Sequence, residues 1–144
     1  MNKNTTHTDD ISSLLIKLIP LVRNNVLRKV NHKNNIPSGY FKILFSINNN
    51  GKMTISELSK KLNITKSNIS PIIKYFEQKG LISRVYDQTD RRYINIELTE
   101  TGVDFVNQYM YEINLYIENI LSSCEKDTSE VLLNSLLNIH KILG

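Results

Sequence analysis

Between residues 53 and 102 the apolar positions recur first at helical spacing and then at every second residue. Ile55, Leu58 and Leu62 follow Thr54, a candidate N-cap with Glu57 in the capping-box place, which predicts a short helix. Asn63-Ile64 breaks it. Thr65 or Ser67 then caps a second helix, with Ile69, Ile72, Ile73 and Phe76 as its stripe and Lys79-Gly80 as its stop. Beyond Gly80, residues 81–86 and 92–98 alternate and are β-prone, and Asp87-Gln88-Thr89-Asp90 between them has turn chemistry, so a hairpin is predicted. Two helices joined by so tight a turn cannot lie parallel, and the second must project from the body.

The flanks read as helices. Asp9 or Asp10 starts one in which Ile11, Leu14, Leu15, Leu18, Val22, Val26 and Val30 form one stripe and Ile16, Ile19 and Leu27 a second, so it should touch both its own domain and a partner. Pro20 is expected to kink it. After a polar loop at 31–35, Ser38 is placed to cap a scaffold helix with Tyr40, Phe41, Ile43, Leu44, Phe45 and Ile47 as core, stopped by Asn48-Asn49-Asn50-Gly51. Lys52-Met53-Thr54 is expected to form a short strand on the hairpin. Thr99 caps a long helix reaching about Ser123, and Asp127 or Thr128 begins the last, with Val131, Leu132, Leu136, Ile139 and Leu143. The prediction is a mainly α fold with a small antiparallel β wing. Its order is helix, helix, strand, helix, helix, strand, strand, helix, helix, a winged helix-turn-helix in one domain over 1–144.

Charge sharpens this picture. Residues 1–50 hold seven Lys/Arg and two Asp, residues 51–92 nine Lys/Arg and four acids, and residues 93–144 two Lys and eight acids. The basic excess thus coincides with the helix-turn-helix and hairpin, as expected of a nucleic-acid binder. On the second helix, Lys66, Ser67, Asn68, Ser70 and Lys74 form a polar face weighted to its N-terminal end, where the partial positive charge of a helix start favours an anion. Singly, each reads equally as a solvated residue. Together they suit a major groove, with Ser67, Asn68 and Ser70 reaching base edges and Lys66 and Lys74 meeting phosphates alongside Lys60, Lys61 and Arg84. Arg91 or Arg92 on the hairpin tip suits a minor groove, with Asp90 orienting an arginine.

Asp90-Arg91-Arg92, followed after five residues by Leu98-Thr99-Glu100-Thr101-Gly102, resembles the wing signature of the MarR family of bacterial regulators. Residues 57–62 and 76–84 are similar to that family's helix-turn-helix segments. The resemblance implies a homodimer on pseudo-palindromic double-stranded DNA, most often a repressor. The helix starting near Thr65 would lie in the major groove and the Asp90 to Arg92 tip in the minor groove. It also implies a cleft in which Tyr40, Phe41 and Arg84 meet a small aromatic or anionic effector. Pro71 departs from the many relatives with a basic or polar residue there, though the peroxide-sensing branch carries a similar proline. Residues 9–31 and 99–143 are then the dimerisation helices, through Ile11, Leu14, Leu15, Leu18, Ile117, Ile120, Leu121, Leu132, Leu136 and Ile139, and 37–98 the DNA-binding lobe.

Other chemistries find less support. Cys124 is the single cysteine, so no intrachain disulfide or multi-cysteine zinc site is expected. The reactive cysteine of peroxide sensors in the family lies in the first helix, where this chain has none. His7, His32 and His140 are too scattered to predict a metal site. No cofactor, catalytic constellation, membrane span or secretory leader is expected, which predicts a cytoplasmic protein, on the nucleoid when bound to DNA. The competing reading is a winged-helix module that binds protein and does not read DNA.

Overall fold

In the computed structural model, residues 7–37, 39–90 and 92–143 are described, and the His32 side chain is not. The elements are α1 (His7–Val22), a π-helical turn (Arg23–Leu27), α2 (Arg28–Asn34), α3 (Phe41–Asn50), β1 (Met53–Thr54), α4 (Ile55–Leu62), α5 (Lys66–Gln78), β2 (Ile82–Tyr86), β3 (Ile94–Leu98), α6 (Glu100–Leu121) and α7 (Thr128–Leu143). The first predicted helix is therefore α1, the π turn and α2 in succession. Pro20 lies inside α1. The hydrogen bonding changes three residues later, where the Arg28 N–H bonds the Arg23 carbonyl five residues back.

The three strands form one antiparallel sheet in the order β1-β3-β2, with Met53 opposite Ile96 and Arg84 opposite Ile96 on the other side. Against it pack α3, α4 and α5. Ile43, Leu44, Leu58, Ile69, Ile73, Phe76 and Ile96 have no exposed surface, and the same cluster draws in Val30 from α2 and Val106 and Tyr109 from α6. Phe45, expected in this core, is 38% exposed, because it points off the side of α3 away from the fully buried Leu44. Val103, in the first turn of α6, is likewise exposed.

Local chemistry fixes the joints. The capping box at the start of α4 is complete: the Glu57 N–H donates to Thr54 Oγ1 at 3.2 Å and the Thr54 N–H to Glu57 Oε2 at 2.7 Å. Asn63 ends α4 in the left-handed region at φ 50°, and Ser59 Oγ bonds the Ile64 carbonyl to tie off the turn. At the far end of α5, Gly80 at φ 70° lets Leu81 N–H reach back to the Phe76 carbonyl, which closes the helix and starts the hairpin. Thr99 caps α6 by accepting from the Gly102 N–H and donates to the Gly80 carbonyl. The predicted cap Ser38 lies outside the described residues.

A candidate nucleic-acid interface

Thr65 stands in the N-cap position of α5 with extended backbone but makes no side-chain cap; its hydroxyl meets that of Ser67 at 3.0 Å. The burial of Ile69, Ile73 and Phe76 turns the opposite side of α5 outward. Thr65, Lys66, Ser67, Asn68 and Lys74 are all exposed, as are Lys60 and Lys61 on the last turn of α4. Ser70 is half-buried, and its hydroxyl donates back to the Lys66 carbonyl at 2.7 Å, so that proton is engaged within the helix. Pro71, next to it, leaves α5 unbroken from Lys66 to Gln78.

The wing is pinned from within. Asp87 accepts from the Thr89 N–H, the Thr89 hydroxyl and the Asp90 N–H, and these three donors hold its carboxyl down at about 2. Asp90 receives the Arg92 guanidinium at 2.8 Å and the Arg92 N–H at 3.0 Å, which lowers its own carboxyl. Both acids of the tip are thereby turned inward, and Arg92 keeps 88% of its side chain exposed. The expected role for Asp90, orienting an arginine, matches this geometry. Arg91 lies outside the described residues.

Arg84 is placed differently from the free cation that the sequence suggested. Its guanidinium grips Glu77 at 2.5 and 3.2 Å, binding β2 to the last turns of α5 and raising its own already high pKa through that hydrogen bond. Tyr40, Phe41 and Arg84 each make contacts of their own. Phe41 stacks on Tyr109 with ring centroids 3.5 Å apart, and Tyr40 packs edge-on against Tyr75 and Phe76. Arg84 also lines a cleft of about 400 Å³ with Thr54, Ile55, Arg92, Tyr93 and Ile94. These ring contacts and the Glu77–Arg84 clamp had no sequence signal, since each joins residues of different elements. The i, i+7 spacing of Glu77 and Arg84 across a helix end was the nearest clue.

The residues expected to dimerise lie on the least buried elements. No residue of α1 or α7 is buried. Ile11, Leu14, Leu18, Ile120, Leu132, Leu136 and Ile139 are exposed, while Leu15, Ile117 and Leu121 are half-buried. Cys124 is exposed. Among the described residues no cluster of three or more His, Cys, Asp or Glu could hold a metal, and no helix is long and apolar enough to cross a membrane.

Comparison with known proteins agrees with this architecture. Residues 36–94 match the model of the MarR family. The HTH-type transcriptional regulator SarZ of Staphylococcus haemolyticus is 26% identical over 133 residues, covering 90% of this chain and 88% of that protein. A MarR family protein from Bacillus stearothermophilus superposes with a TM-score of 0.85 at 22% identity, covering 99% of this chain and 98% of that one. NadR, solved in complex with 4-hydroxyphenylacetate, superposes with a TM-score of 0.72 at 19% identity, covering 92% and 96%. The last two likenesses speak to the fold alone. The matched region contains α3 through the start of β3, the whole helix-turn-helix and the wing tip. With its outward-facing reader helix and inward-paired wing tip, the chain resembles the MarR family of winged helix-turn-helix, DNA-binding transcriptional regulators, whose family model residues 36–94 match.

Proposed function

We propose that the chain acts in the cytoplasm as a homodimer that reads pseudo-palindromic operators and represses the genes behind them. The exposed N-terminal face of α5 is the observation that carries this reading. Thr65, Lys66, Ser67, Asn68 and Lys74 stand together on the outer side of a helix whose inner side is fully buried, a shape that fits a major groove. The Arg92 tip fits the adjacent minor groove. A reader of two half-sites needs two such helices about 34 Å apart, one turn of duplex. The uncovered apolar faces of α1 and α7 supply the surface for a second copy. In this reading Lys60, Lys61, Lys66 and Lys74 contact phosphate, and Ser67 and Asn68 contact bases. Ser70 remains an acceptor, and Arg84 positions the wing.

Release by a small aromatic or anionic ligand belongs to the same reading. A compound seated in the cleft beside Arg84 would compete with Glu77 for the guanidinium and loosen the wing from α5. NadR shows that a protein of this fold can hold an aromatic acid.

Selection of duplexes from a random library by the purified protein should enrich an inverted repeat. In titrations on that duplex, Asn68→Ala should relax sequence preference, whereas Lys74→Ala should weaken all duplexes alike and lower the salt slope by about one. No enrichment above a shuffled pool would favour the protein-binding alternative, and identical behaviour of the two variants would remove the division between reader and anchor.

A further inference from the structure

Two large aromatic side chains stand exposed on the wing. Tyr86, the last residue of β2, is 62% exposed, and Tyr93, just before β3, is 59% exposed. They flank the neck of the hairpin: Tyr86 lies opposite Ile94, the residue after Tyr93, and the Asp87 N–H bonds the Tyr93 carbonyl at 3.0 Å. Neither hydroxyl has a hydrogen-bond partner among the described residues. The neck itself is stiff, because Asp87 and Asp90 use their carboxylates to fold the tip and hold Arg92. Both rings are therefore carried on a braced ribbon, Tyr93 next to Arg92 in the chain and Tyr86 across the ladder from Ile94, two residues beyond it.

From this geometry we infer that Tyr86 and Tyr93 are DNA-contacting residues that pack against the sugar edges of the minor groove on either side of the arginine; the inference rests on the reading of the wing given above. The minor groove is only about 6 Å wide, so a tip that enters it brings its neck against the groove walls. Those walls are deoxyribose, an apolar surface that a tyrosine ring covers at little conformational cost, since only two side-chain torsions are fixed. The contact is neutral. It releases no counterion, so it should add affinity without adding to the salt dependence, unlike the contribution of Arg92 or Lys74. It also responds to groove width, and hence to A·T content at positions where no base edge is touched.

The test is a set of fluorescence-anisotropy titrations of the full chain on the duplex recovered by selection, at four salt concentrations. The variants are Y86A, Y93A, Y86A/Y93A, Y86F/Y93F and, for comparison, Arg92→Ala. The double alanine variant should bind tenfold or more weakly at every salt, on a line parallel to that of the wild type, and the double phenylalanine variant should stay within about twofold. Arg92→Ala should flatten the slope. Both tyrosines are exposed, so the melting temperature should not move; should the double variant unfold, each single variant is expected to lose about threefold. Binding of the folded alanine variants within twofold of wild type overturns the inference, as does a slope that falls with the affinity or a phenylalanine variant as weak as alanine. A wild-type chain without salt-dependent duplex binding removes the DNA-reading proposal itself, an outcome distinct from failure of the tyrosines alone.

Discussion

The winged lobe and the terminal helices are built to different degrees of completion. In the lobe, Ile43, Leu44, Leu58, Ile69, Ile73, Phe76 and Ile96 are fully enclosed, and each helix joint is closed by a cap, a left-handed residue or a side-chain bond. In α1 and α7, of comparable apolar content, nothing is buried, and Leu133, Leu136, Leu137 and Leu143 line an open apolar hollow on α7. The same kind of residue is therefore spent inside one protomer in the first case and left for another surface in the second. The lobe needs no partner to hold the reader in shape, whereas the terminal helices cannot repay their ordering entropy until something covers them.

Two substitutions break that contrast most sharply. Phe76→Ala removes a fully buried ring from the lobe and should cost about 3–5 kcal/mol, read by urea unfolding as a loss that does not depend on protein concentration. Leu136→Glu, on the exposed side of α7, should leave lobe packing intact yet raise the dimer dissociation constant at least tenfold, about 1.4 kcal/mol, in sedimentation equilibrium. A concentration-dependent Phe76→Ala effect, or a Leu136→Glu variant as dimeric as the wild type, would erase the distinction drawn here.

A third change probes how the lobe is joined to α6. Gly102 lies so close to β2 that a Cβ there would sit 2.0 Å from the Leu81 carbonyl oxygen, which is backbone and already accepts the Thr99 N–H. Alanine favours helix over glycine by about 1 kcal/mol, but the clash should win, and Gly102→Ala is expected to lose about 1–3 kcal/mol net by thermal unfolding. A stabilised variant would mean that α6 can pivot freely away from the wing.

Gly102 also shows what could be read in advance. Its presence four residues past Leu98 was plain in the sequence, but the reason for it, the Leu81 carbonyl, lies 21 residues back and comes into view only once the hairpin is folded. Local signals were legible: Thr54 with Glu57, Thr99 with its first turn, the period-two strands, and the polar face of α5 opposite Ile69 and Ile73. Long-range pairings were not. Glu77 takes Arg84 out of the free cations, Phe41 stacks on Tyr109, and buried Asn31 accepts from the Tyr109 hydroxyl, whose own pKa burial pushes up to about 12. Pro20 announced a local cost in a helix, and it lies inside α1, while the π-helical hydrogen bonding follows at Arg23–Leu27 with no signal of its own in the sequence. A residue type announces its local cost, while the place where the chain absorbs that cost depends on neighbours not adjacent in sequence.

The smallest expected effect concerns the wing tip, which is held by charge and hydrogen bonds and not by burial. Asp87 has its folded-state carboxyl lowered from 3.8 to about 2 by the Thr89 hydroxyl and the Thr89 and Asp90 amides. A depressed carboxyl contributes order that is fully present above its unfolded value and is lost as pH falls through the folded one. The tip should therefore hold its turn at pH 5, begin to loosen below about 3.8 and be released near 2, with Asp90 and its Arg92 partner following in the same direction. The amide shifts of Thr89 and Asp90, followed by NMR, should titrate together with a midpoint near 2 in the wild type, and Asp87→Asn should abolish that step. A midpoint at 3.8 would show that the carboxylate makes no persistent bonds. The tip would then enter a groove as a flexible loop, and Arg92 would have to be ordered by the DNA itself.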